Sequence, residues 1–404
     1  MSRGIADGIS VFLIAGEPSG DALGAHLMAA LKERTGGRVR FSGIGGPAMA
    51  REGLASLFPM TELSVMGLVE VLPRIPRLLR RIGETVAAIR DIRADAVITI
   101  DAPGFCLRVA SRLKKSARAG GPDIPIIHYV APQVWAWRGG RAKKLTGLVD
   151  HLLVLLPFEP PYFEKFGLAC TFVGHPALES GAGCGDGAGF RARLKLAPGD
   201  PVLCLLPGSR AGEVTRLLPV YRETVARMVR DVPRLRVVCA VAQAVAARVK
   251  SEVATWPVPV HIAEQEARFD AMAASTVALA ASGTVTLELA AAGVPMVVAY
   301  RMNPVTAWVA RRVVHVQYAN LVNLVLGRGA IPELLLEDCY PEALAGALLR
   351  LLRDEGARKA QQAAMAEALN RLGRGGPRPS LQAAKAVLGV IATRQAREEK
   401  RTKD

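Results

Sequence analysis

Aromatic residues make up only 5% of this 404-residue chain, so a stacking platform for single-stranded nucleic acid is not expected. The six cysteines, Cys106, Cys170, Cys184, Cys204, Cys239 and Cys339, stand far apart, with no CxxC pair and no clustering with histidine. That spacing argues against a disulfide framework and a zinc site, and fits reduced thiols in a cytosolic protein. Apolar runs of membrane-spanning length are missing as well. The nearest, Ala271–Tyr300, is broken by Ser282-Gly283-Thr284 and Gly293-Val294-Pro295, short of the roughly 20 residues a span needs. Met1–Ser10 carries a single Arg and no apolar core of a secretory signal, so a cytoplasmic location is expected. Acidic residues are in deficit: Lys+Arg 52 against Asp+Glu 36 leaves a net charge of +16. Such an excess suits nucleic acid, anionic lipid headgroups or phosphorylated substrates, and an Arg-rich genome would also produce it. No nucleic-acid-binding module is recognisable, so none is expected as a partner.

What is present reads as a globular α/β protein, with 50% hydrophobic and 22% charged residues. Short apolar runs alternate with longer helical periodicity, the pattern of parallel sheets covered by helices. The first half predicts strands at Ser10–Ala15, Arg38–Gly43, Asp95–Ile100, Ile124–Val130, His151–Leu156 and Cys170–Gly174. Helical stretches such as Asp21–Arg34, Arg77–Ile92 and Phe105–Ala117 lie between them. A second series predicts Val202–Leu206, Leu235–Val241, Val260–Glu264, Thr276–Ala281 and Met296–Tyr300. Between the series, glycine occupies every second position from Gly181 to Gly189, which reads as a flexible join. The expected organisation is therefore two Rossmann-like doubly wound domains, residues 1–179 and 190–340, joined by a linker at 180–189. Helices and a charged, frayed tail are expected over 341–404. Two such domains facing each other would present strand C-termini to a shared cleft.

The candidate chemistry sits at strand ends. Gly16-Glu17-Pro18-Ser19-Gly20-Asp21 follows the first strand, where small residues admit a ligand and a helix start favours anions. It is not GxGxxG, and a plain turn with Asp21 as helix cap accounts for it about as well. Asp101 ends the apolar run Ile98-Thr99-Ile100, where a carboxylate can serve as general base or merely cap the next helix. Gly208-Ser209-Arg210 follows the strand Val202–Leu206 and offers backbone N–H groups and a guanidinium to a diphosphate. Ser282-Gly283-Thr284 is a second anion-type turn, with Glu288 one turn along to accept from ribose hydroxyls. The apolar segment Leu63–Leu72, with Val65, Met66, Leu68 and Val69, precedes Arg74, Arg77, Arg80 and Arg81. That is the pattern of an interfacial membrane surface, and equally of an amphipathic helix with a solvated basic face.

Taken in order over residues 11–340, these segments resemble the lipid-A-disaccharide synthase family. The resemblance is carried by AGEPSGD (15–21), ELSVMGLVEVL (62–72), DAPGF (101–105), HYVAPQVWAWR (128–138), LPFE (156–159), FVGHP (172–176), LPGSR (206–210), ASGTVTLE (281–288), PMVVAYR (295–301) and NLVN (320–323). It implies a GT-B fold and an inverting, metal-independent glycosyltransferase without a cofactor. The implied reaction moves 2,3-diacylglucosamine from UDP-2,3-diacylglucosamine to the 6-hydroxyl of 2,3-diacylglucosamine 1-phosphate (lipid X). That is a step of lipid A and lipopolysaccharide biosynthesis at the cytoplasmic face of a Gram-negative inner membrane. It implies Asp101 as base, Arg210 on the diphosphate, and Ser282 to Glu288 with Asn323 on the nucleotide side. Glu17 and Ser19 would line the cleft from the opposite domain, Glu17 as a second catalytic candidate beside Asp101, and Ser19 and Gly20 are candidate substrate- or UDP-binding residues. A homodimer is compatible with the resemblance. The chain departs from the family pattern at Gly104, Cys106, Ala131 and Asn320-Leu321-Val322, which bears on the helix start after Asp101 and on the late loop. A UDP-N-acetylglucosamine 2-epimerase or a peptidoglycan N-acetylglucosaminyltransferase would share the fold and anion turns without needing HYVAPQVWAW. A non-catalytic basic protein would explain the charge alone.

Overall fold

The computed structural model describes residues 8–63, 75–135, 140–303 and 317–403. Two parallel sheets of six strands each are found among them. The first contains β1 (Ile9–Ala15), β2 (Val39–Ile44), β3 (Ala96–Ile100), β4 (Ile126–Tyr129), β5 (His151–Val154) and β6 (Cys170–Phe172), in the order β2-β1-β3-β4-β5-β6. The second contains β7 (Val202–Leu206), β8 (Arg236–Ala240), β9 (Val260–Ala263), β10 (Val277–Ala281), β11 (Met296–Tyr300) and β12 (Glu333–Leu335), in the order β12-β11-β10-β7-β8-β9. Every residue of β1, β3, β7 and β10 is buried. Helices cover both faces, which is why these strands read as unbroken apolar runs rather than alternating ones. β7 and β11 coincide with the sequence expectation, the other expected strands differ from it by one or two residues at one or both ends, and β12 is not foreseen, because three residues carry no periodicity.

The chain divides into two compact units, Met1–Pro176 with Pro377–Asp404, and Ala177–Gly376. Two expectations are corrected by this division. The glycine-rich segment 180–189 is folded into the second unit, not a free spacer. It forms a 3-10 turn, Ala182–Cys184, and the helix Gly187–Arg193, whose first turn is capped by Asp186 accepting from the Gly189 N–H at 2.8 Å. Its glycines serve close packing: a Cβ on Gly185 would lie 2.2 Å from the Phe269 carbonyl oxygen, and one on Gly187 2.5 Å from that of Ala273. A lack of side chains looks like flexibility in sequence but here lets backbones touch.

The C-terminal helices are also shared between the units. Pro341–Arg353 and Glu355–Arg371 stay with the second, whereas Pro379–Lys403 returns to the first and packs along the helix Pro18–Thr35. Ala383, Ala384, Val387 and Ile391 join the first unit's core, and the ion pairs Arg378–Glu33 and Arg394–Asp123 flank them. The tail expected to fray continues this helix to Lys403.

In each sheet the order reverses at one point: between β1 and β3 in the first, between β7 and β10 in the second. Connections leave in opposite directions there, so a crevice opens beyond the strand C-termini, where doubly wound folds bind ligands.

Candidate functional site

In the first unit the turns after β1 and β3 lie side by side, since Ala15 pairs with Ile100. Gly16 faces Ala102 so closely that a Cβ on it would sit 2.7 Å from the alanine methyl. Only glycine admits this approach, and it brings Glu17 and Asp101 to the same sheet edge. Glu17 is half-buried and Ser19 exposed, while Gly20 is buried.

Asp101 and Ala102 both adopt left-handed backbone, with φ of 48° and 43°, and Val130, just past β4, has φ of 78°. Three non-glycine residues in this region at one sheet edge cost on the order of 1–3 kcal/mol each. A β-branched valine there is a particular outlier. The arrangement is held by its surroundings: the Asp101 N–H donates to the Tyr129 carbonyl at 2.9 Å and the Val130 N–H to that of Leu153 at 3.0 Å. Strain of this kind collects at functional sites. The helix Pro103–Arg118 is capped at Ala102 without a side-chain bond, so the cap position does not fall on Asp101. At the departure position, Cys106 is buried beside the Asp101 carboxylate. Burial, with a smaller push from that charge, holds its thiol protonated far above the usual range.

Asp21 is not the cap of its own helix either, because Pro18 starts that helix a turn earlier and Glu17 takes the cap position. Buried at 4% exposure, Asp21 instead accepts from the N–H groups of Gly46, Ala48 and Met49 at 2.8, 2.9 and 3.0 Å. It thereby pins the turn after β2 to the turn after β1. Glu159 plays a similar part further along the edge. Its carboxylate accepts from Leu155 and Leu156 N–H at 3.1 and 2.9 Å and from Trp135 Nε1 at 3.2 Å, and burial pushes its pKa up to about 7. Both carboxylates were missed as organising residues. The available signal was a single acid set among apolar or small neighbours.

In the second unit both anion-type turns reach the switch point, since Leu206 at the end of β7 pairs with Ala280 near the end of β10. Gly208 has φ of 105°, and a Cβ there would collide with the Glu213 carboxylate at 2.4 Å. That carboxylate accepts from the Ser209 and Arg210 N–H groups at 3.1 and 3.4 Å. Two donors read as available to phosphate are therefore taken up within the turn. Arg210 remains 61% exposed, its guanidinium 3.5 Å from Glu213. The Ser282 hydroxyl donates to the Ala319 carbonyl at 3.0 Å, and Gly283 and Thr284 stay accessible. The helix that follows, Val285–Ala291, has only seven residues, so its dipole contributes little.

Two candidates point away from a direct ligand role. Glu288 is 8% exposed and its carboxylate meets Arg268 at 2.7 Å. Burial raises its pKa and the guanidinium pulls the other way. Asn323 is 1% exposed and wholly engaged: its amide nitrogen donates to the Ile331 carbonyl and to Glu333, and its oxygen accepts from the Ala330 and Ile331 N–H groups.

On the expected membrane surface, Val65, Met66, Leu68, Val69 and Arg74 lie outside the described residues. Arg77 and Arg80 are exposed on the helix Ile75–Asp91. Arg81 departs from the expectation. Its guanidinium makes a two-pronged pair with Glu62 at 2.9 and 2.7 Å, meets Glu84 at 2.7 Å, and lies 4.5 Å above the Phe58 ring. It faces the protein because the helix turns that position toward Phe58 and the core residue Ile82 beside it.

The fold and its two switch-point sites define the class: this is a GT-B protein of two Rossmann-like domains. Among solved structures it is similar to the Neisseria meningitidis UDP-GlcNAc 2-epimerase bound to UDP-GlcNAc, with a TM-score of 0.63, 12% identity, and coverage of 96% of this chain and 100% of that one. Acinetobacter baumannii MurG gives a TM-score of 0.53 at 14% identity over 95% and 99% of the two chains. The Lipid-A-disaccharide synthetase family model matches residues 11–387. Lipid-A-disaccharide synthases of Rhodospirillum centenum and Paramagnetospirillum magneticum are 53% identical over 385 residues, 95% of each chain, and 50% identical over 392 residues, 96% of this chain and 99% of that one. The chain belongs to the lipid-A-disaccharide synthase family and is a glycosyltransferase.

Proposed function

We propose that this chain transfers 2,3-diacylglucosamine from UDP-2,3-diacylglucosamine to the 6-hydroxyl of lipid X and releases UDP. The observation that carries the catalytic part is Asp101, set by strained backbone at the switch point of the first sheet. Its carboxylate takes the proton of the acceptor hydroxyl as that oxygen attacks the anomeric carbon and the bond to the diphosphate breaks. Attack opposite the leaving group inverts the anomeric centre. Arg210 meets the charge that develops on the departing UDP, as a preorganised cation does for a leaving group. The test is incubation with both diacylated substrates and mass spectrometry of the lipids. A tetraacyl disaccharide phosphate is the expected product, and a sugar epimer with no disaccharide would favour the epimerase reading.

Arg210→Ala is expected to weaken UDP binding by roughly 1–3 kcal/mol, the scale of a charge-assisted hydrogen bond. Titration calorimetry checks this, and unchanged affinity would take Arg210 off the diphosphate.

Both proposed substrates carry two acyl chains, so the enzyme is proposed to act at the cytoplasmic face of the inner membrane. Among the described residues no helix is long and apolar enough to cross a membrane. Support comes from Leu57, Ile75 and Leu79, large apolar residues at 44%, 40% and 48% exposure, together with exposed Arg77 and Arg80. Binding to anionic vesicles should weaken with added salt without vanishing, because salt screens only the basic contribution. Replacing Leu57, Ile75 and Leu79 with serine should lower that salt-resistant remainder and leave UDP affinity unchanged. A triple variant that binds vesicles like the parent would move the docking surface elsewhere.

A further inference from the structure

Glu333 joins three segments of the second unit. It is the first residue of β12, the edge strand beside β11. One carboxylate oxygen accepts from the Ala319 N–H at 2.7 Å. The other accepts from the Asn320 N–H at 3.3 Å, from the Asn320 side-chain amide at 2.6 Å and from the Asn323 side-chain amide at 2.7 Å. Ala319 in turn accepts from the Ser282 hydroxyl at 3.0 Å. A continuous chain of bonds therefore runs from β12 through the Ala319–Asn320 backbone to the turn after β10. Asn320 and Asn323, at 0% and 1% exposure, are enclosed within it. Asn320 also caps the helix Leu321–Leu326 by accepting from the Asn323 N–H at 3.0 Å.

A carboxylate with four N–H donors forms strong, directional bonds that lock their partners in one geometry. Two of these donors are the backbone N–H groups of Ala319 and Asn320, in the loop abutting Ser282-Gly283-Thr284, and the other two are the enclosed asparagine amides beside it. We propose that Glu333 is a positioning residue for nucleotide binding: it fixes Ala319 and Asn320 so that the Ser282 turn is formed before UDP arrives. Asn323 then acts through this network, not on the ligand. The inference rests on the reading that the second unit's switch point holds UDP.

Preorganisation lowers the ordering cost of binding, so loosening the network should weaken UDP without abolishing the fold. Glu333→Gln is the selective change. The glutamine keeps one acceptor oxygen for the asparagine donors but turns an amide N–H₂ toward the Ala319 N–H, which must move. The folded variant, checked by circular dichroism and thermal melting, should bind UDP about tenfold more weakly, the effect of losing a charge-assisted bond. Ser282→Ala should weaken UDP too, and the double variant should be no weaker than the weaker-binding single, because both changes cut one linkage. Unchanged UDP affinity in folded Glu333→Gln, or additive losses in the double variant, overturns the proposal. Amide exchange on the parent supplies a measurement independent of whether any variant folds. The Ala319 and Asn320 amides should be protected already without UDP, and protection gained only with UDP overturns it. A parent that binds no UDP at all would instead remove the nucleotide reading beneath it.

Discussion

Asp101→Asn is expected to fold like the parent and to lose turnover by at least roughly 10²-fold, the usual scale for removing a general base. Asparagine matches aspartate in size and tolerates left-handed backbone equally well, so the φ of 48° imposes no new strain. The Asp101 N–H still reaches the Tyr129 carbonyl, so the turn keeps its shape. What disappears is the ability to take a proton. Circular dichroism and a melting curve establish the fold, initial rates with both lipid substrates give the loss, and UDP affinity should stay at the parent value. A folded variant with near-parental turnover would take Asp101 out of the mechanism and return attention to Glu17 on the neighbouring turn.

Ending the chain after Gly376 is expected to unfold the first unit and spare the second. The helix Pro379–Lys403 puts Val387 and Ile391 at 0% and 1% exposure into the first unit's core, with Ala383 and Ala384 beside them. Burying a Val or Ile side chain fully is worth about 1.5–3 kcal/mol, so these two alone approach the 5–15 kcal/mol by which a typical domain is stable. Removing the helix also bares the apolar side of Pro18–Thr35. The second unit has its own core around β7, β8 and β10 and should melt as before. Calorimetry of the truncated chain should show one transition lost and one retained. Two parental transitions would mean the returning helix is an accessory.

Much of the placement of the candidate residues was legible in sequence because they stand at strand ends. Apolar runs of five to seven residues located β1, β3, β7 and β10, and the polar residues just past them, Glu17, Asp101, Arg210 and Ser282, are where a parallel sheet presents chemistry. Which of them are accessible was not legible. Glu288 and Asn323 sit in motifs of the same polar character, yet one is engaged by Arg268 and the other enclosed by Glu333 and the Ile331 backbone. Hydrogen-bond partners 10 or 20 residues away leave no mark in local pattern. Arg81 repeats the lesson: its neighbours Arg77 and Arg80 are exposed, and it differs only in the face of the helix on which it falls.

Composition, periodicity and motif order by themselves determined a doubly wound α/β protein, the strand ends proposed to carry its chemistry, and its family resemblance. These depend on local apolar patterning and short contiguous segments, which sequence displays directly. Tertiary structure alone decided that the glycine-rich stretch packs against Phe269 and Ala273 instead of swinging free. It also decided that the last helix belongs to the first unit, that Asp21, Glu159 and Glu333 hold the turns in place, and that the Asp101 turn is strained. Each of those is set by contacts between residues distant in the chain, or by backbone angles imposed through such contacts, and neither is encoded in any short window of residues.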